Sequence, residues 1–213
     1  MNTLVHEEQY RGPDLLKKMA EREFTICGAG AIGSNLIENM ARQGFRKIGV
    51  IDMDRVDDHN RHTQAYGRRD IGQFKAAALK SRIYDQMGVS IETAAKKLDG
   101  TNVKKLLSKE SIVVDGFDNS ESRGLVAEFC LKNGIVCLHA GLYKDYAEIH
   151  WNGGYRVPEP VKGLDVCEYP LARNIILMAV SIATEVLIRY LDRGIQENYA
   201  VTLGDFRVEK LCS

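Results

Sequence analysis

Residues 24–54 read FTICGAGAIGSNLIENMARQGFRKIGVIDMD. An apolar run ends at Cys27, a turn carries Gly28, Gly30 and Gly33, an amphipathic stretch follows, and a second apolar run, IGVI, stops at Asp52. That is the order strand, tight turn, helix, strand, acid. Glycine permits the sharp turn and a close backbone approach to a phosphate, and the helix behind it offers unpaired N–H groups at the positive end of its dipole. Asp52 lies 19 residues beyond Gly33, at a strand tip from which it can accept hydrogen bonds from ribose hydroxyls. The stretch predicts an adenine-nucleotide site in which Gly28, Gly30, Ala31, Ile32 and Gly33 face phosphates. It does not choose the nucleotide, since a nicotinamide or flavin dinucleotide satisfies these residues as well as ATP does.

Outward from this unit the pattern repeats. Residues 1–23 read as a leading arm with a short helix opened by Pro13, which sets Leu15, Leu16 and Met19 on one face. After Asp52 comes a polar loop, placed where open parallel sheets bind ligands, and then a helix over 73–87 closed by Gly88. A strand near 89–95, a helix near 101–108, a buried strand at 112–115, a helix over 119–132 with Asn119 and Ser120 as cap candidates, and a strand over 134–141 complete the alternation. Such alternation implies parallel strands joined by right-handed crossovers. From residue 142 the pattern turns antiparallel: YKDYAEIHW alternates, NGGY supplies a turn, and a loop with Pro158, Pro160 and Gly163 passes Cys167 into an apolar helix near 171–191. YAVTLGDFRVEKL closes the chain as a hairpin turning at Gly204 and Asp205. The expected fold is α/β, a Rossmann-like and mostly parallel sheet with helices on both faces, followed by antiparallel strands. It is one domain, divided into an arm (1–23), a nucleotide-binding half (24–141) and a C-terminal part (142–213).

The chain's 213 residues suit one sizeable core. Its 29 lysines and arginines balance 29 aspartates and glutamates, so bulk charge gives no support to nucleic-acid or membrane-surface binding. The most apolar segment is interrupted by Ser181, Thr184 and Glu185, and the start of the chain is polar, so neither a membrane span nor a secretion signal is expected. Five cysteines, at 27, 130, 137, 167 and 212, form no C-x-x-C pair. They disfavour a disulfide framework and a four-thiolate zinc site, and they suit a reducing cytosol.

Two clusters bear on the nucleotide. Asp115 and Asp118 flank the end of a parallel strand, with Asn119 next, and one or two carboxylates with phosphate oxygens are the usual way to hold Mg²⁺. The alternative is that Asp118 or Asn119 caps the following helix. Lys75, at the start of its helix, can reach phosphates as a point charge or remain a surface lysine.

Taken together, GAGAIG at 28–33, Asp52-Met-Asp54, Asn60, Gln64, Asp70-Ile-Gly72-x-x-Lys75 and Asp115-x-x-Asp118-Asn119-x-x-x-Arg123 resemble the ThiF/MoeB/HesA family over roughly residues 10–192. FRVEKL also resembles its last strand. The resemblance implies an ATP-dependent adenylyltransferase: the C-terminal glycine carboxylate of a small ubiquitin-like sulfur-carrier protein ending in Gly-Gly attacks the α-phosphate, and pyrophosphate leaves. It implies Lys75 on the phosphates, Asp118 on Mg²⁺, Asp52 on the ribose, and Asp54, Asn60, Thr63, Gln64 and Asn119 around the nucleotide. It also implies a cytoplasmic homodimer in which Arg11 of one arm reaches the partner's γ-phosphate.

The match has departures. The family loop carries an arginine where this chain has Thr63, in Asn60-Arg61-His62-Thr63-Gln64, so Arg61 supplies the charge after a local shift or the contact is missing. His59 and His62 in that polar loop lack a third ligand, and the zinc-binding C-x-x-C pairs of many relatives are absent, so no zinc is expected. Cys167 stands where some relatives carry a nucleophilic cysteine, or serves as filler. Three rival readings remain open: adenylation of a peptide or tRNA base, a nicotinamide-dependent oxidoreductase, and a non-catalytic binding module.

Overall fold

A computed structural model describes residues 3–159 and 170–211. Eight strands form one sheet in the order β3-β2-β1-β4-β5-β6-β7-β8. Strands β1 (Glu23–Cys27), β2 (Lys47–Ile51), β3 (Glu92–Ala94), β4 (Ser111–Asp115) and β5 (Cys137–Tyr143) are parallel, while β6 (Tyr146–Trp151), β7 (Asn198–Thr202) and β8 (Val208–Leu211) continue antiparallel from β5. The expected mixed sheet is what the chain forms.

In the parallel half, helices cover both faces. Helices α2 (Pro13–Glu21), α3 (Ala31–Gln43), α4 (Lys75–Met87) and α7 (Arg173–Arg193) share a core with Phe24, Ile26, Ile112, Val114 and Leu138. Helices α5 (Val103–Leu106) and α6 (Ser120–Asn133) pack on the other face against Cys27, Val113 and Cys137. All five residues of β4 are buried, as a strand with covered faces on both sides requires. The antiparallel half has α7 on one face only. There Ala147, Ile149 and Trp151 point inward, while Tyr146, Glu148 and His150 alternate outward.

By length and composition alone α7 is apolar enough to cross a membrane, with 21 residues. In the fold its stripe from Ile175 to Ile188 is buried against the sheet and α3, and Thr184 accepts a hydrogen bond from Asn39 at 2.9 Å.

Three local details differ from the sequence reading. The arm folds as two helices, because α1 (Val5–Arg11) precedes Pro13 and Gly12 at φ +83° breaks the chain between them. The β5–β6 hairpin turns at Lys144 and Asp145, with Lys144 at φ +56°. NGGY, the expected turn, forms a short 3-10 segment at Asn152–Gly154 that ends β6. Cross-strand pairing of the Tyr143 and Tyr146 ends set that register, which alternation over a short stretch does not specify. Pro160, Gly163, Cys167 and Cys212 lie outside the described residues.

Candidate nucleotide site

The sheet order 3-2-1-4-5 reverses between β1 and β4, and the crevice beyond the strand ends at such a reversal is where ligands bind in open α/β sheets. The glycine turn follows β1 there, and residues 116–119 follow β4. The three glycines have different reasons. Gly28 sits at φ +94°, with the Gly116 carbonyl 3.1 Å from where a Cβ would stand. A Cβ on Gly33 would drive into the Gly28 carbonyl, so this glycine lets helix and turn pack together. At Gly30 nothing lies within 4 Å of that position. Gly30 is also the N-cap of α3 and has no side-chain cap hydrogen bond, so the first N–H groups of the helix open onto this free space. A phosphate fits such a cradle.

Asp52 is buried and locks the turn: its Oδ2 accepts from the Ala29 N–H at 2.7 Å and its Oδ1 from the Asp54 N–H at 2.7 Å. Burial raises its carboxyl above the ordinary 3.8, against the opposing pull of those N–H donors and Lys75. Lys75, the first residue of α4, is nine-tenths buried along its stem and brings Nζ 3.2 Å from the half-exposed Asp54 carboxylate. The loop between β2 and α4 is strapped over the turn. The Tyr66 hydroxyl donates to the Ala29 carbonyl at 2.8 Å, Ala65 N–H donates to Ser34 Oγ at 3.0 Å, and Asn35 Nδ2 donates to the Thr63 carbonyl at 2.9 Å. Burial, with the nearby charge of Asp52, pushes the Tyr66 hydroxyl far up, so it stays a donor.

Asp118 is exposed, and its one hydrogen bond among the described residues is a long 3.4 Å contact from the Asn119 amide. Asn119 itself caps α6, its Oδ1 accepting from Ser122 N–H at 2.8 Å. The capping alternative thus holds for Asn119, leaving the Asp118 carboxylate without an ion pair among the described residues. No group of three or more His, Cys, Asp or Glu is arranged for a metal among the described residues. A Mg²⁺ ion needs only one or two carboxylates when phosphates and water complete its shell, and Asp118 fits that demand.

One expectation needs correcting. Asp115 does not face the crevice: it is 0% exposed, held by His139, Arg123 and the Phe117 N–H. Burying a bare carboxylate is costly, and these donors are what make it tolerable. Arg11, expected to reach a partner's γ-phosphate, is engaged within its own chain. It pairs with Glu7 at 2.6 Å and Glu185 at 2.9 Å, beside Gln43 at the far end of α3 from the glycine turn. Arg61 pairs with the exposed Asp58 at 2.8 Å one turn back. The buried Asn60 accepts the Asp57 N–H at 2.8 Å and holds its own turn. Gln64 keeps a buried Oε1 without a partner among the described residues, an acceptor set behind the loop. Cys167 lies outside them.

The sequence reading missed four residues. Tyr66 straps the loop, and Arg173 at the start of α7 donates to the His62 carbonyl at 3.2 Å, on the loop where the expected arginine is missing. His139 and Tyr155 complete a buried polar group around Asp115, their rings stacked at 3.7 Å between centroids. A histidine inside the apolar run IVCLHAG was the one signal available.

Comparison with known proteins agrees with this geometry. A model of the ThiF family matches residues 6–160. The sulfur carrier protein adenylyltransferase of Thermus thermophilus is 27% identical over 135 residues, covering 62% of this chain and 50% of that protein. The sulfur carrier protein ThiS adenylyltransferase of Bacillus subtilis is 31% identical over 139 residues, covering 63% of this chain and 41% of that one. The chain thus spans half the length of these curated relatives, or less. Among solved structures, E. coli MccB with MccA-N7isoASN superposes with a TM-score of 0.82 at 16% identity, covering 99% of this chain and 71% of that one. The glycine turn, the strand order and the match over most of its length make this chain a member of the ThiF family.

Proposed function

We propose that this protein is an ATP-dependent adenylyltransferase that activates the C-terminal glycine carboxylate of a small ubiquitin-like sulfur-carrier protein. The observation that carries the reading is the pairing, across the β1–β4 reversal, of a glycine cradle left open at Gly30 with an uncommitted carboxylate at Asp118. The names borne by the Thermus thermophilus and Bacillus subtilis relatives support the choice of acceptor.

In this reading Asp52 orients the ribose, and the first N–H groups of α3 take phosphate oxygens. The reaction joins two anions, because an acceptor carboxylate attacks the α-phosphate to give an acyl-adenylate and pyrophosphate. Catalysis therefore consists mainly of alignment and charge neutralisation. Lys75, whose Nζ lies 3.2 Å from Asp54, turns its charge toward the polyphosphate. Mg²⁺ held by Asp118 would supply the remaining neutralisation. The open face of β5–β7, with Tyr146, Glu148 and His150, is where the acceptor docks. A homodimer in a reducing compartment belongs to the same reading, and the free, buried thiols of Cys27, Cys130 and Cys137 are compatible with it.

The test is pyrophosphate exchange into ATP with candidate carrier proteins ending in Gly-Gly. Exchange with one of them, abolished in Asp118→Ala, is the expected result. Tight NADH binding with no ATP binding would sink the proposal in favour of an oxidoreductase.

A further inference from the structure

Asp115, His139 and Arg123 form a buried polar group that the proposed chemistry leaves unused, and that group abuts the turn carrying Asp118. Asp115 Oδ2 accepts from His139 Nδ1 at 2.9 Å and from an Arg123 N–H at 3.4 Å. Its Oδ1 accepts from the Phe117 N–H at 3.1 Å. The Gly116 N–H donates to the Cys27 carbonyl at 2.9 Å, so the same turn is tied to the last residue before the glycine segment. The chain from Asp115 to Phe117 is therefore fixed on one side to the carboxylate and on the other to β1. Asp118 is the next residue.

The three side chains are almost fully buried, at 0%, 1% and 8% exposure for Asp115, His139 and Arg123. Each is over-determined. His139 Nε2 meets Asn152 Oδ1 at 2.8 Å, and Asn152 Nδ2 donates to the Ala127 carbonyl, which fixes the amide so that its oxygen faces the ring. Tyr155 stacks on His139 at 7° between ring planes, and its hydroxyl accepts from Arg123 at 2.8 Å. Arg123 also donates to the Ala140 carbonyl at 2.6 Å. Burial is the largest influence on the Arg123 cation and works against it, but the charge of Asp115, the Tyr155 hydroxyl and the charge of Asp118 together raise its pKa.

We propose that His139 and Arg123 are positioning residues that hold Asp115, and through it the 116–118 turn, so that Asp118 meets a nucleotide-bound Mg²⁺ ion. The inference rests on the nucleotide reading of the site. A group that orients a metal-binding carboxylate without touching the ion acts as an outer-shell partner, and losing such a partner weakens metal affinity more than it weakens binding of the rest of the ligand.

The experiment measures ATP binding to the full chain by calorimetry, with ATP alone and across a Mg²⁺ titration, and amide exchange at Phe117 in the nucleotide-free protein. In His139→Ala the Mg²⁺ concentration for half-maximal effect should rise ~10-fold while affinity for ATP alone moves by less than about 2-fold. The Phe117 amide should exchange faster. His139→Asn, which keeps a donor near the Nδ1 position, should restore most of the Mg²⁺ response. A folded His139→Ala with an unchanged Mg²⁺ requirement overturns the proposal, as does His139→Asn behaving like alanine. Should circular dichroism show His139→Ala unfolded, Tyr155→Phe decides: it keeps the stacked ring, removes the hydroxyl from Arg123, and should raise the Mg²⁺ requirement ~3-fold. No change there overturns the proposal too. Wild-type protein that binds no ATP at any Mg²⁺ concentration would remove the nucleotide reading itself, a result distinct from a wild type that binds and variants that match it.

Discussion

The two halves of the sheet solve opposite problems. In the parallel half, strands are covered on both faces, and the polar groups at their carboxyl ends are held by donors in fixed places: Asp52 by two N–H groups, Asp115 by His139, Arg123 and Phe117. In the antiparallel half one face lies open, and its polar groups, Tyr146, Glu148 and His150, hydrogen-bond one another beside solvent. Even a strongly shifted group there, Glu197 drawn down to about 2 by Lys210 first and then Tyr199, belongs to a half-buried cluster at the sheet edge. The difference teaches where precision is built. In the proposed function, the site that aligns two anions sits where side chains and backbone are tied by fixed hydrogen bonds, and the surface proposed for the acceptor sits where side chains can adjust.

The sharpest way to break this contrast is at the turn itself. Gly33→Ala places a methyl group against the Gly28 carbonyl, and urea denaturation should show a loss on the order of 3 kcal/mol. Gly30→Ala, whose Cβ meets nothing, should fold within about 1 kcal/mol of the parent yet lose nucleotide affinity. Equal stability losses in the two would mean that the turn is structural only.

Lys75→Met keeps the buried stem and removes the charge beside Asp54. ATP affinity by calorimetry should fall ~10- to 100-fold, about 1.4–2.7 kcal/mol. Retained affinity would leave the lysine as a partner of Asp54 and nothing more.

Asp52 gives a smaller, pH-dependent effect. Burial holds its carboxyl above the ordinary 3.8, and the charged form is the one that accepts hydrogen bonds. Nucleotide affinity should be full above that raised value and decline as pH falls through it, earlier than for an ordinary aspartate. Asp52→Asn should flatten the profile. For folding the sign is reversed: the native state binds this proton more tightly than the unfolded chain, so the group's contribution to stability falls as pH rises from the ordinary carboxylate value through the raised one.

The smallest effect belongs to the open face. Glu148→Gln should change stability by less than about 0.5 kcal/mol and leave ATP binding untouched, while weakening exchange driven by the carrier protein. A large stability loss there would erase the distinction between the halves.

Local signals in the chain determined much of this protein. The spacing of Gly28, Gly30 and Gly33, the apolar run ending at Asp52, the cap at Asn119 and the helix closed by Gly88 each act over a few residues, so strand, turn and helix could be read in order. What only the tertiary structure decided are the partners. Asp115 and Asp118 look alike in sequence, yet one is sealed and the other exposed, because His139 arrives from a strand 24 residues on and Tyr155 reaches Arg123 across 32. Arg11, read as a contact to a partner's nucleotide, is held in its own chain by Glu185, 174 residues away. Backbone propensity and periodicity are local quantities, whereas the burial and pairing of a charge depend on which distant segments the sheet brings beside it.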